Sequence, residues 1–299
     1  MSENGVGAAP EFIHLSSGSA SATVALRGAE PISWQVGGRE LLWHGDPEHW
    51  DFHAPILFPR VGASSGASVR VGTEYFPMPQ HGFARRSRFT LVDAAGATAR
   101  FRLRESAETT AHYPFRFQLD VVYDLTAESL VLGFEVTNTG SAELPYAIGF
   151  HPAFPWPLAG GSKDGHRVVF EAAEKDLVPE VAAGGLLARR SRRVPMDGTA
   201  LPLSPELFSE ALVFLDARSR TMRFEGPDGA AIVMETESFP HLAVWSRPTA
   251  PFLSLECWTG HADWEDASGE LRERASITNL RPGQTNAHKV TLRSEPPRG

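Results

Sequence analysis

The chain has 299 residues, 42% hydrophobic and 21% charged, with a net charge of −8. This is ordinary globular composition with ample material for a core, and the acidic balance argues against a nucleic-acid partner, which wants a basic footprint. The single cysteine, Cys257, excludes an intramolecular disulfide framework.

The first eleven residues, MSENGVGAAPE, carry neither a basic n-region nor an apolar core and read as a flexible tail. With no apolar run long enough for a membrane helix, the chain is expected to be soluble and cytoplasmic. Residues 12–295 read as a single domain. Twenty-seven glycines and 23 prolines punctuate them at short intervals, favouring turns over long helices.

Between these breaks the hydrophobic period is two. ISWQVGGRELLW predicts a hairpin around Gly37–Gly38. In EHWDFHAPILFP, His49 and His53 would share one face of a helix, but the prolines and aromatic residues argue against a helix there. A metal site is therefore not expected. Trp43 and Trp50 read as loop packing. GASSG at 62–66 matches G-x-S-x-G around Ser64, but a strand and hairpin follow it, SVRVGTEYF, where a nucleophile elbow needs a helix. PQHGFARR at 79–86 sets His81 before a glycine.

FRFQLDV at 115–121 puts Phe115, Phe117, Leu119 and Val121 on one face. LVLGFEV at 130–136 repeats the pattern, and TAES joins the two as a hairpin. GFHPAF at 149–154 holds His151 between an apolar run and a stiff corner; Pro152 pushes His151 out of the α region. Phe154 and Trp156 are expected to pack around it. The glycine-rich segment 157–166 and RRSRR at 189–193 read as surface excursions. SPELFSEAL at 204–212, with Ser204 as N-cap and Pro205 at the first position, predicts one or two helical turns. TMRFEGPDGAAIVMET predicts a further hairpin around Pro227–Gly229.

In FLSLECWTGHADW at 252–264, Leu253, Leu255 and Cys257 alternate with Ser254, Glu256 and Trp258. Glu256 and Trp258 therefore share a face, a carboxylate beside an indole, an arrangement suited to a sugar. The fold class is all-β with very little helix, a large antiparallel β-sandwich. No G-x-G-x-x-G or P-loop pattern supports a nucleotide cofactor.

Taken in order, ELLWHGDPEHW, APILFPRVG, PMPQHGFAR, YAIGFHPAF, HLAVWSRPTAPFLSLECWTGHAD and LRPGQT make the chain resemble the aldose 1-epimerase (galactose mutarotase-like) superfamily over about residues 12–293, nearest its LacX-type and hexose-phosphate mutarotase-like branch. The resemblance implies a galactose mutarotase-like β-supersandwich that interconverts α and β anomers of a hexose or hexose phosphate. It implies neither metal nor cofactor, and a small-molecule sugar or sugar phosphate as the partner, with no nucleic acid or membrane. Glu256 matches the family's general base, His151 its general acid and His81 a second histidine that steadies the sugar. Arg60 lies near a sugar-binding arginine, and Arg85 matches one that contacts phosphate or sugar oxygens. Trp258 is expected against the substrate. The chain reads ECW where the family typically reads EPW, which puts Cys257 on the face away from Glu256. A glutamate desolvated beside Trp258 is expected to have a raised pKa, as acid–base work near neutrality requires. The alternative is a carbohydrate-binding or sugar-sensing protein on the same scaffold, without turnover.

Overall fold

The computed structural model describes residues 11–158, 160–267 and 269–298; the expected tail lies, except for Glu11, outside the described residues. The named strands pair antiparallel, with one four-residue α-helix, Ala107–Thr110, among the described residues. None of those residues forms a helix long and apolar enough to cross a membrane.

The largest sheet has nine strands. It contains the hairpin of Phe117–Leu125 and Ser129–Asn138, flanked by Thr98–Arg104 on one side and by the central strand Thr285–Glu295 on the other. The expected pairing is met: Leu119 faces Val136, Val121 faces Phe134 and Tyr123 faces Leu132. All six are buried, so this face of the sheet is the core. The opposite face is polar and cross-linked by ion pairs, with Arg100 and Arg102 both meeting Asp120. That alternation specifies the register, because a one-residue slip would turn the whole apolar set outward.

A six-stranded sheet carries the site. Its order is Leu212–Phe214, His241–Trp245, Phe252–Trp258, Gly149–Phe150 and Ile56–Leu57, with Ala153–Pro155 also paired to Phe252–Trp258. The central strand Phe252–Trp258 is buried at every position. Both its faces are covered, one by the core and the other by the residues of the site.

The hairpins around Gly37–Gly38, Gly72 and Pro227–Gly229 form as expected. Two other expectations are corrected. The helix expected over 204–212 is a 3-10 segment, Pro205–Ser209, and the Ser204 side chain caps nothing. So short a stretch cannot repay the cost of helix nucleation, and Phe208 leaves helical geometry to bury its ring against Trp156. The RRSRR segment is not an irregular excursion. It lies on the strand Leu187–Arg193, paired with Leu177–Val181, and the turn end of this hairpin forms one wall of a cavity. Its arginines are each ion-paired, Arg189 to Asp266, Arg190 to Glu180, Arg192 to Glu210 and Arg193 to Asp176.

Candidate active site

The strands Gly149–Phe150 and Ala153–Pro155 pair with Phe252–Trp258 in one continuous register. Phe150 faces Cys257 and Ala153 faces Ser254. Carried inward, that register puts His151 directly opposite Glu256. Pro152 has no N–H, so the ladder opens at this point. Directly opposed residues of an antiparallel pair hold their Cβ atoms roughly 5 Å apart, close enough for the two side chains to meet. They do: His151 Nε2 lies 3.1 Å from Glu256 Oε1.

The other carboxylate oxygen, Oε2, accepts the indole N–H of Trp258 at 3.1 Å. Gly149 makes that possible. A Cβ at this position would come within 2.8 Å of Trp258 Cδ1, so a side chain there would displace the indole.

Glu256 and His151 are 2% and 6% exposed. Burial raises Glu256 to about 8 against the opposing effect of the Trp258 hydrogen bond, and lowers His151 to about 3. Near neutral pH the pair therefore holds one proton between Oε1 and Nε2. The raised glutamate agrees with the sequence expectation. A charged imidazolium is not the resting form of His151, the expected general acid, because burial outweighs the backbone hydrogen bond that favours the charged ring.

His81 stands beside them, its ring 5.8 Å from that of His151. Its Nδ1 accepts the Gly62 backbone N–H at 3.1 Å, so Nε2 carries the ring proton. Burial, Arg85 and His151 together hold it well below the usual histidine range. The backbone at His81 has φ 65° and at Gly82 φ 72°. A Cβ on Gly82 would lie 2.2 Å from the Phe58 carbonyl oxygen. The His–Gly pair is thus a tight turn pressed onto the chain at Phe58.

These groups open into a cavity of about 550 Å³ lined also by Trp50, Phe52, Arg85, Trp245 and Trp258. Arg85 stacks on Phe52 at 4.9 Å and donates to the Gln80 carbonyl, while its Nε is buried without a partner among the described residues. Burial and the neighbouring Arg86 lower it to about 10.

Arg60 is the expected site residue that the structure keeps out of the cavity lining. It is 1% exposed, and its guanidinium meets Asp263 at 2.9 Å and the His261 carbonyl at 3.3 Å. A buried guanidinium needs such a partner, and Asp263 also binds Arg274 and the Ser65 N–H. Arg60 braces the loop that presents Gly62 to His81.

The rings expected around His151 are also corrected. Trp156 packs on Phe208, whereas His151 meets Trp50 at 4.8 Å and Trp245 at 5.4 Å. Trp245 pairs with Ser254 across the sheet. Its place on the site face follows from the alternation of Ser254, Glu256 and Trp258 once the neighbouring strand's register is known. Trp50 sits in a loop and has no such signal.

The aldose 1-epimerase family model matches residues 11–292. Protein LacX of Lactococcus lactis subsp. lactis, in its plasmid form, is 32% identical over 270 residues, 85% of this chain and 90% of that protein. A galactose mutarotase-like protein from Lactobacillus casei superimposes with a TM-score of 0.87 at 29% identity, over 95% of this chain and all of the other. A galactose mutarotase related enzyme from Lactobacillus acidophilus shares the fold, with a TM-score of 0.89 at 24% identity, over 96% of this chain and 98% of its own. Motif order, sheet topology and these likenesses agree, and the chain belongs to the aldose 1-epimerase family, on its LacX-type side.

Proposed function

We propose that the protein is a mutarotase that interconverts the α and β anomers of a hexose or hexose phosphate by acid–base ring opening. The observation that carries this reading is the 3.1 Å contact of Glu256 with His151 at an aromatic-walled cavity. Ring opening needs one group to take a proton while another gives one. A pair holding a single shared proton does both without changing its total charge.

Transfer of that proton from Glu256 to His151 Nε2 sets the roles. Glu256 accepts the proton of the anomeric hydroxyl, and His151 gives its own to the ring oxygen. The C1–O5 bond breaks with its electron pair on O5, and C1=O1 forms. Rotation about C1–C2 presents the other carbonyl face, and closure by the reverse steps yields the other anomer. His81 donates its Nε2–H to a sugar oxygen, and the tryptophan faces take the apolar C–H side of the ring. Positioned acid–base groups supply ~10²–10⁴-fold, sufficient for a reaction that already proceeds in water.

The test is NMR exchange between the anomers of glucose, galactose and their 6-phosphates. The expected result is accelerated exchange for at least one of them. Spontaneous rates for all four would overturn the reading. In the same assay Arg85→Ala is expected to raise KM for the phosphorylated sugars by roughly 10-fold, the worth of one charge-assisted hydrogen bond, and to spare the free ones. An equal effect on both would assign Arg85 to the cavity wall alone.

The pH dependence follows from the pair acting as a unit. Glu256 is raised to about 8 and His151 lowered to about 3. The pair therefore loses its one proton above about pH 8 and gains a second only near pH 3. kcat/KM, which reports the free protein, should hold a plateau through neutrality and fall above pH 8. A profile with an inflection near 6.5, the ordinary histidine value, would contradict this.

A further inference from the structure

Ser254 lies two residues before Glu256 on the same face of the strand, fully buried and outside the cavity lining. Its Oγ lies 2.8 Å from His151 Nδ1 and 2.8 Å from the Pro152 carbonyl oxygen. The hydroxyl has one proton for these two contacts. A carbonyl oxygen only accepts. If the hydroxyl gave its proton to Nδ1, two oxygens would face each other at 2.8 Å with no hydrogen between them. Donation to Pro152 leaves Oγ free to accept an N–H from Nδ1, and then both contacts are hydrogen bonds.

We propose that Ser254 is a positioning residue that fixes His151 as the Nδ1–H tautomer, so that the proton exchanged with Glu256 and the sugar is always the one at Nε2. This rests on the acid–base reading of the site and adds the group that makes it directional. With Nδ1 protonated, neutral His151 offers a lone pair at Nε2 to the protonated Glu256 carboxyl. With the other tautomer, an N–H and an O–H would point at each other across the 3.1 Å contact. The partner of the distal ring nitrogen sets which nitrogen reacts, and here the chain is Pro152 carbonyl, Ser254 hydroxyl, Nδ1, Nε2, Glu256. Pro152 itself opens the ladder beside the catalytic pair and then supplies the anchor for the serine.

The experiment is ¹⁵N NMR of the histidine rings at neutral pH in the full chain, with His151 assigned by its loss in His151→Gln, together with anomer exchange kinetics. Wild type is expected to show His151 protonated at Nδ1. Ser254→Ala removes one oxygen and adds no bulk. It should shift the ring toward the Nε2–H form and lower kcat by roughly 10-fold or more while KM changes little. Ser254→Thr, which keeps the hydroxyl, should recover both the tautomer and the rate where it folds. A wild-type ring protonated at Nε2, or Ser254→Ala with unchanged tautomer and kcat, would overturn the proposal. If wild type turns over none of the sugars, the mutarotase reading fails and the role in turnover falls with it, while the ring shifts still decide the tautomer claim by themselves.

Discussion

Glu256→Gln is expected to lower kcat for anomer exchange by roughly 10³-fold, within the range that a positioned general base supplies, and to leave KM nearly unchanged. The amide occupies the same volume and keeps an oxygen for the Trp258 indole, so the cavity retains its shape. Single-turnover exchange with saturating sugar would measure the loss. A variant with a tenth of wild-type kcat would remove Glu256 from the proton transfer. The same substitution has a thermodynamic signature. The folded protein holds the Glu256 proton up to about pH 8, whereas the group's ordinary value is 4.5. A folded-state pKa raised in this way gives stability that is fully present below pH 4.5 and is lost as pH rises through 8, at up to about 1.4 kcal/mol per pH unit. His151, lowered from 6.5 to about 3, acts in the opposite sense: its contribution is present above 6.5 and is lost as pH falls. It is common to both proteins and cancels in their difference. Glu256→Gln should therefore gain thermal stability over wild type between pH 5 and 8 and level off above. A difference that stays flat across that range would mean the carboxyl is not held in its neutral form.

The largest expected effect on folding is that of Gly82→Ala. The added methyl would sit 2.2 Å from the Phe58 carbonyl oxygen, 2.4 Å from its carbon and 2.7 Å from Pro59 N, all backbone atoms that cannot rotate away. The position also has φ 72°, where an L side chain costs roughly 1–2 kcal/mol. Overpacking adds about 1–3 kcal/mol, so a total loss of about 2–5 kcal/mol is expected by denaturant titration. The displaced turn also loses the hydrogen bonds from the Phe83 and Ala84 N–H groups to the Phe58 carbonyl, and His81 moves with it. Gly72→Ala is the control. It has φ 62° but open space around it, and should cost only the backbone part. Equal losses for the two would show that the close approach at Phe58 does not matter.

The alternation in FLSLECW fixes, from sequence alone, which residues join Glu256 on its face, and Ser254 was among them. The apolar period of two likewise shows the hairpin of Phe117–Leu125 and Ser129–Asn138 and its buried side. What alternation lacks is the identity of the neighbouring strand. The opposition of His151 to Glu256 across more than a hundred residues is a fact of pairing, and so is the arrival of Trp245 beside Ser254. Arg60 was expected at the sugar because FPRVG lies near a sugar-binding arginine of the family it resembles. Its partner Asp263 lies 203 positions away, and only the folded chain reveals that the charge is already matched. The wall built by Leu177–Val181 and Leu187–Arg193 escaped for another reason. Its first strand, LVPEV, is interrupted by a proline and its second, LARRSRR, is mostly charged, so no apolar period of two runs through it.

That hairpin divides the protein's response to its medium. Arg189, Arg190 and Arg193 hold it through pairs at the surface, where side chains are largely exposed and where added electrolyte screens attraction beyond ~10 Å at 0.1 M. The Glu256–His151 couple is buried, and buried pairs are screened much less. Ionic strength thus bears on the charge pairs of the cavity wall more than on the buried couple within it.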